Sequence, residues 1–177
     1  MCIRDSNVAL HKQVISYGMK KEMKIAQPLH WISYLKEGGA ELYQDVYGGI
    51  NWYWELQEQI PTAKKFVDAS MKKYGLPPGD YGAYSYSGVL EVARGVELAK
   101  STDSEAVARA LRANREYDHY KGKQWWRACD NKAFQDMWIV KAREPGKTRG
   151  DWGLFEIVTR IPANEELERT CAEKGLA

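Results

Sequence analysis

PTAKKFVDASMKKYGLPP (residues 61–78), YGAYSYSGVLEVARGVELAK (81–100) and STDSEAVARALRAN (101–114) follow one another with clear start and stop signals. Pro61 suits a first helical position, because the N–H it lacks has no helical partner there. Ala63, Phe66, Val67, Met71 and Tyr74 then share one face at helical spacing. Lys72 and Lys73 complement the negative end of the helix dipole. Gly75 can close the helix in a left-handed conformation, and Pro77-Pro78 stops it from restarting. The second helix is predicted over Gly82–Lys100, with Tyr86, Val89, Val92, Ala93 and Val96 as its apolar stripe and Glu91, Arg94 and Leu98 on the other side. Glycine inside a helix costs about 1 kcal/mol relative to alanine. Gly88 and Gly95 therefore mark either a neighbour packed very close or simple tolerance. Thr102 or Asp103 can cap the third helix, with Val107, Ala110 and Leu111 facing inward.

The rest of the chain packs around this block. Residues 7–17 read as a helix stopped by Gly18, and MKIA (23–26) as a short strand. QPLHWISYLKEGGAE reads as a loop with at most one helical turn, and residues 45–52 as a β segment. A strand, helix, strand rhythm predicts parallel pairing through helical crossovers. After Asn114, the segments 124–128, 136–142 and 154–159 are β-rich and separated by turn chemistry, which predicts antiparallel hairpins. Residues 163–174 read as a short terminal helix capped by Asn164.

Composition narrows the function classes. Apolar residues make up 44% of the chain and charged residues 28%, with a net charge of +2. Lysines and arginines are interspersed with acids, so no nucleic-acid partner is expected. No apolar run approaches the ~18 residues of a membrane span. Motifs for acyl transfer, dinucleotides, nucleoside triphosphates or zinc peptidases are missing. His11, His30 and His119 stand far apart, so no metal site, cofactor or catalytic residue is expected.

The order and spacing over some fifty residues resemble the second half of a substrate-binding protein of an ABC importer. The residues that carry it are FV followed by KYGLPP, then YSYSGVLEVARGVELA, then STDSEAVARAL, with KGKQWWRACDN and MWIVK fitting the same pattern. The resemblance is to the type I periplasmic binding fold, in the branched-chain amino-acid (leucine-binding) group. It implies an α/β, two-lobed fold that is incomplete here, with the first-lobe strands missing. Residues 7–51 would belong to the second lobe and residues 52–116 to the first-lobe helices with a crossover. Residues 117–177 would form a β-rich second-lobe tail. Residues 1–6 (MCIRDS) read as a non-native leader, and no signal-peptide pattern follows them. The implied protein is periplasmic or otherwise extracytoplasmic. It binds a small-molecule ligand, amino-acid-like or an organic acid or amide, between two lobes and docks on ABC permease subunits. The alternatives are a ligand-sensing regulator or receptor domain of the same fold, or a fragment of an unrelated α/β enzyme. In an exported protein Cys129 and Cys171 either pair as a disulfide or remain separate thiols.

Candidate ligand-binding residues come from two sources. The segment Gln27–Trp31 follows a strand, and in open α/β sheets ligands bind beyond the carboxyl ends of strands. In the family, this segment borders the ligand, and relatives that bind α-amino acids place an acid there. Here Pro28, Leu29, His30 and Trp31 follow Gln27 with no acid, which leaves room for an amide, a carboxylate or an aromatic acid. Trp52 and Trp54 fall at period two in NWYWE and offer flat surface suited to a cleft, or else pack the core. Tyr86 matches a family tyrosine that either faces the cleft or anchors its helix.

Overall fold

The computed structural model describes residues 3–113 and 116–176. Met1 and Cys2 of the expected leader, and Asn114 at the end of the third expected helix, lie outside them. The chain divides into two compact units. Unit 1 comprises residues 1–55 and 137–161, and unit 2 comprises residues 56–136 and 162–177. The backbone thus passes from one unit to the other at three points.

Unit 1 contains α1 (Ile3–Ser16), α2 (Met19–Glu22), β1 (Ala26–Gln27), α3 (Ile32–Gly38), α4 (Ala40–Tyr43) and β2 (Tyr47–Ile50). It is completed by β6 (Met137–Ala142) and β7 (Phe155–Ile161), which return from later in the chain. Its sheet has the order β1-β2-β6-β7. β1 and β2 are parallel, as the strand, helix, strand rhythm predicts, and β6 and β7 add antiparallel. Where a loop was expected, α3 forms two turns, because Ile32 and Leu35 fall on one face and are buried with Tyr34. Tyr43, Val46, Ile50, Trp52, Val140, Ala142 and Phe155 are fully enclosed.

Unit 2 contains α5 (Pro61–Tyr74), α6 (Asp80–Ala99), α7 (Ser104–Ala113) and an antiparallel meander of β3 (Tyr117–His119), β4 (Gly122–Arg127) and β5 (Lys132–Gln135). A turn of 3-10 helix, Trp54–Glu58, leads into it. α5 begins at Pro61 and ends where Gly75 adopts φ 72°, its N–H donating to Met71 O. Asp103 caps α7, accepting a hydrogen bond from Ala106 N at 2.9 Å. The two helical glycines differ. A Cβ on Gly95 would lie 2.7 Å from Val107 Cγ1, so α7 packs against bare backbone there, whereas Gly88 faces open space.

Three expectations are revised in unit 2. First, α6 turns its polar side inward. Asp80, Ala83, Ser87, Glu91 and Gly95 are buried, while Val89 and Val92 are 70% and 62% exposed. The burial of Glu91 is supported by hydrogen bonds: it accepts from Trp126 Nε1 at 2.9 Å and from Arg94 Nη2 at 3.3 Å. Second, residues 163–174 form one 3-10 turn, Glu165–Leu167, rather than a helix, although Asn164 does cap it. The tail is held by side chains instead. Cys129 is bonded to Cys171 with Cα atoms 6.1 Å apart, Lys174 pairs with Asp130 at 2.9 Å, and Trp125 Nε1 donates to Glu165 at 2.7 Å. Third, residues 117–177 do not stay together. β3–β5 join the helices, where Thr62 Oγ1 donates to His119 O at 2.9 Å and Tyr120 OH donates to Ala83 O. No helix among the described residues is long and apolar enough to cross a membrane.

Candidate functional site

The loop Pro28–Trp31 continues from the end of β1 and lies over Gly48 and Gly49 of β2, the strand parallel to it. His30 N donates to Gly49 O at 3.1 Å. A Cβ on Gly48 would run into His30 and would lie 2.9 Å from Gln27 O, while one on Gly49 would lie 2.8 Å from Pro28 O. The loop can lie this close only because β2 carries two glycines in succession. That pair was visible in the sequence, inside a segment read as β, and is the signal that sequence reasoning did not use.

The four loop candidates separate by exposure. Pro28 and Leu29 are exposed, and Trp31 is half-buried and stacked on Tyr34 at 5.6 Å. His30 is wholly buried, with its ring between Phe155 at 4.7 Å and Tyr43 at 5.7 Å. Burial, and then the neighbouring His11, lower its pKa to about 3. Behind it runs a polar chain. Tyr43 OH donates to Asn7 Oδ1 at 2.7 Å, Asn7 Nδ2 and His11 Nε2 both reach Gln27 Oε1 at 3.1 Å, and Gln27 Nε2 contacts His30 Nδ1.

The segment 52–55 is braced in the same unit. Trp52 is fully buried. Trp54 Nε1 and Tyr53 OH both donate to Trp152 O, at 2.9 and 3.1 Å, and Tyr53 OH also accepts from Phe155 N at 3.2 Å. Phe155 touches both Tyr53, at 5.3 Å, and His30. The structure therefore joins the 28–31 loop and the 52–55 segment through one phenyl ring. Tyr86 belongs to unit 2, where it is 41% exposed and stacked face to face on Phe66, centroids 4.4 Å apart.

Unit 2 also holds a buried Ser87, His119 and Glu91. Ser87 Oγ lies 3.2 Å and Glu91 Oε1 3.9 Å from the same ring nitrogen, His119 Nε2. A nucleophilic relay needs the serine and the carboxylate on opposite nitrogens, so this geometry is a packed polar cluster. Among the described residues, no group of three or more His, Cys, Asp or Glu is placed to hold a metal ion.

A mixed sheet with a loop at the carboxyl end of its first parallel strand, and a chain shared between two units, defines the class as a two-unit α/β protein. The chain belongs to the periplasmic binding protein family, whose pattern matches residues 2–148, and its fold is the type I periplasmic binding fold in incomplete form. It is 44% identical over 57 residues to the leucine-, isoleucine-, valine-, threonine- and alanine-binding protein of Pseudomonas aeruginosa, a stretch that is 32% of this chain and 15% of that one. A periplasmic binding protein from Burkholderia mallei superposes with TM-score 0.79 at 26% identity, covering 96% of this chain and 44% of that chain. A branched-chain amino acid ABC transporter ligand-binding protein from Burkholderia xenovorans superposes with TM-score 0.79 at 22% identity, over 94% of this chain and 44% of that chain. The chain thus spans less than half the length of these structures.

Proposed function

We propose that the chain is part of the extracytoplasmic solute-binding component of an ABC importer, which delivers its solute to membrane permease subunits. The solute is an organic acid or amide without an α-ammonium group. Pro28, Leu29, Trp31 and Trp54 are the unit 1 residues that meet it, with His30 and Trp52 packed behind them. One observation carries the reading: the loop at the carboxyl end of β1 offers apolar and aromatic side chains and no carboxylate. Strand ends of this kind are where open α/β sheets bind ligands, and an ammonium placed there would stay unpaired at a cost of several kcal/mol.

The test is a calorimetric titration of the protein with leucine, 4-methylpentanoate, 4-methylpentanamide and phenylacetate. At least one ligand lacking the ammonium should bind tenfold or more tightly than leucine. Trp54→Ala should weaken that binding by about 1–3 kcal/mol, the range for burying one large side chain. Leucine binding most tightly would overturn the assignment.

A further inference from the structure

With the Asn7 and Gln27 amides oriented as placed, the side chains behind the β1–α3 loop take one arrangement of protons. The Tyr43 hydroxyl donates to Asn7 Oδ1, which fixes the Asn7 amide and makes its Nδ2 the donor to Gln27 Oε1. Gln27 Oε1 can only accept, so His11 presents a protonated Nε2 to it. Gln27 Nε2 can only donate, so His30 Nδ1 must be the bare nitrogen and its proton sits on Nε2. Both remaining ring atoms, His11 Nδ1 and His30 Nε2, are buried without a hydrogen-bond partner.

No second proton fits. On His30 it must go to Nδ1, where it meets the N–H of Gln27 head on. Flipping Asn7 and Gln27 together would let His30 Nδ1 donate to Gln27 Oε1, but the second proton then falls on His30 Nε2, which has no acceptor. On His11 the proton must go to Nδ1, which has no acceptor. The charged groups nearby offer no relief. Lys20, from α2, acts on His11 and opposes a second positive charge, and Glu37, from α3, acts on Tyr43. Burial keeps Tyr43 neutral, and Gly48 and Gly49 of β2 and Phe155 of β7, which lie against His30, carry no charge.

We propose that this chain of hydrogen bonds is a proton-operated catch on the Pro28–Trp31 loop: it holds the loop on β2 while both imidazoles are neutral and releases it when His30 takes a proton. The sign follows from burial. His30 binds its proton less readily in place than when released, its pKa in place being about 3 against an ordinary 6.5. Release is therefore favoured as pH falls below 6.5, by about tenfold in the opening equilibrium per pH unit. The inference concerns the loop alone and stands whichever solute the protein binds.

Amide hydrogen exchange of the peptide spanning residues 27–31, corrected for intrinsic rates, tests it between pH 7.5 and 4.5, with β6 and β7 of the same unit as the reference. Opening of the loop should rise by about tenfold per pH unit below 6.5 while the reference strands stay protected. Gln27→Glu supplies a carboxylate that accepts from both imidazoles, so that variant should keep its loop protected to pH 4.5. Its His30 ring should titrate above 6.5 by nitrogen NMR. A flat wild-type profile, a step shared equally by β6 and β7, or an unchanged step in Gln27→Glu would each overturn the proposal.

Discussion

Glu55 accepts two hydrogen bonds from Arg143, each at 3.0 Å; Glu55 is buried and the Arg143 side chain is 11% exposed. Arg143 Nη1 also donates to Gly153 O, and Arg149 stands 3.7 Å from the same carboxylate. The pair ties the last residue of the first unit 1 segment to the hairpin before β7. Removing one partner strands the other charge in the interior, which typically costs 3–5 kcal/mol. Glu55→Ala and Arg143→Ala should each destabilise the protein by about that much in urea denaturation. Replacing both at once should cost clearly less than the sum.

Gly48 should not tolerate a side chain. Its Cβ would fall on His30, which is itself enclosed by Phe155 and Tyr43 and cannot retreat. Gly48→Ala should destabilise by about 1–3 kcal/mol, as overpacking in a filled core does. Gly88→Ala, on open helix surface, should stabilise by about 0.5–1 kcal/mol. Parallel denaturation curves of the two variants check the contrast.

Acid should weaken unit 2 through His119. Burial, with further opposition from Lys121, lowers its pKa to about 4. The unfolded chain titrates near 6.5 and so binds more protons than the folded one below that value. The stability that neutral His119 contributes is fully present above pH 6.5 and is lost down to about pH 4, at about 1.4 kcal/mol per pH unit. Glu91 adds in the same direction. Burial opposes its charge, but hydrogen bonds from Tyr117, Trp126 and Arg94 outweigh it and hold its pKa below the ordinary value. Denaturation midpoints at pH 7, 6 and 5 should fall in the wild type, and more shallowly in His119→Gln.

The Cys129–Cys171 bond spans a separation of 42 residues. On the chain-entropy model, a loop of that size stabilises by up to ~4 kcal/mol. Ion pairs of Lys132 with Glu168 and of Arg127 and Lys174 with Asp130 run beside it. Reduction, or Cys129→Ser with Cys171→Ser, should lower stability by a few kcal/mol. It should also loosen residues 162–176 in limited proteolysis before β4 is cut.

The exposed valines of α6 should make the chain self-associate. Val89 and Val92 lie one turn apart, and Leu90 and Leu98 are also exposed. Exposed apolar side chains one turn apart, such as Val89 and Val92, favour association. Val89→Lys with Val92→Lys should raise the concentration at which light scattering first detects oligomers, without shifting the melting midpoint.

Much of this architecture was legible in the sequence because it rests on local rules. Pro61 and Gly75 bracket α5, Asp103 starts α7, and the β segment read over residues 45–52 contains β2. What escaped depends on residues remote in the chain. α6 reads as burying Val89 and Val92 because periodicity counts apolar residues, whereas Glu91 goes inside for its bonds to Trp126 and Arg94. His30 reads as a loop residue, and only Phe155, which arrives after a whole second unit, encloses it. The candidates Pro28, Leu29 and Trp31 were legible from the strand end. The glycines that seat their loop were present in the sequence, but their role needed β2 and the loop in contact.

The division of unit 1 into residues 1–55 and 137–161 has a consequence for the order of events during synthesis. When β2 leaves the ribosome its antiparallel neighbour β6 does not yet exist, so the sheet waits with one edge open and apolar. Residues 56–136 emerge next, and α5–α7 with β3–β5 form mostly local contacts, which favour early folding. Unit 2 can thus become ordered while β2 still lacks β6 and β7, the state in which unpaired edges invite misassembly. Translation speed through residues 56–136 therefore sets how long that edge of β2 stays open to chaperones and to other chains.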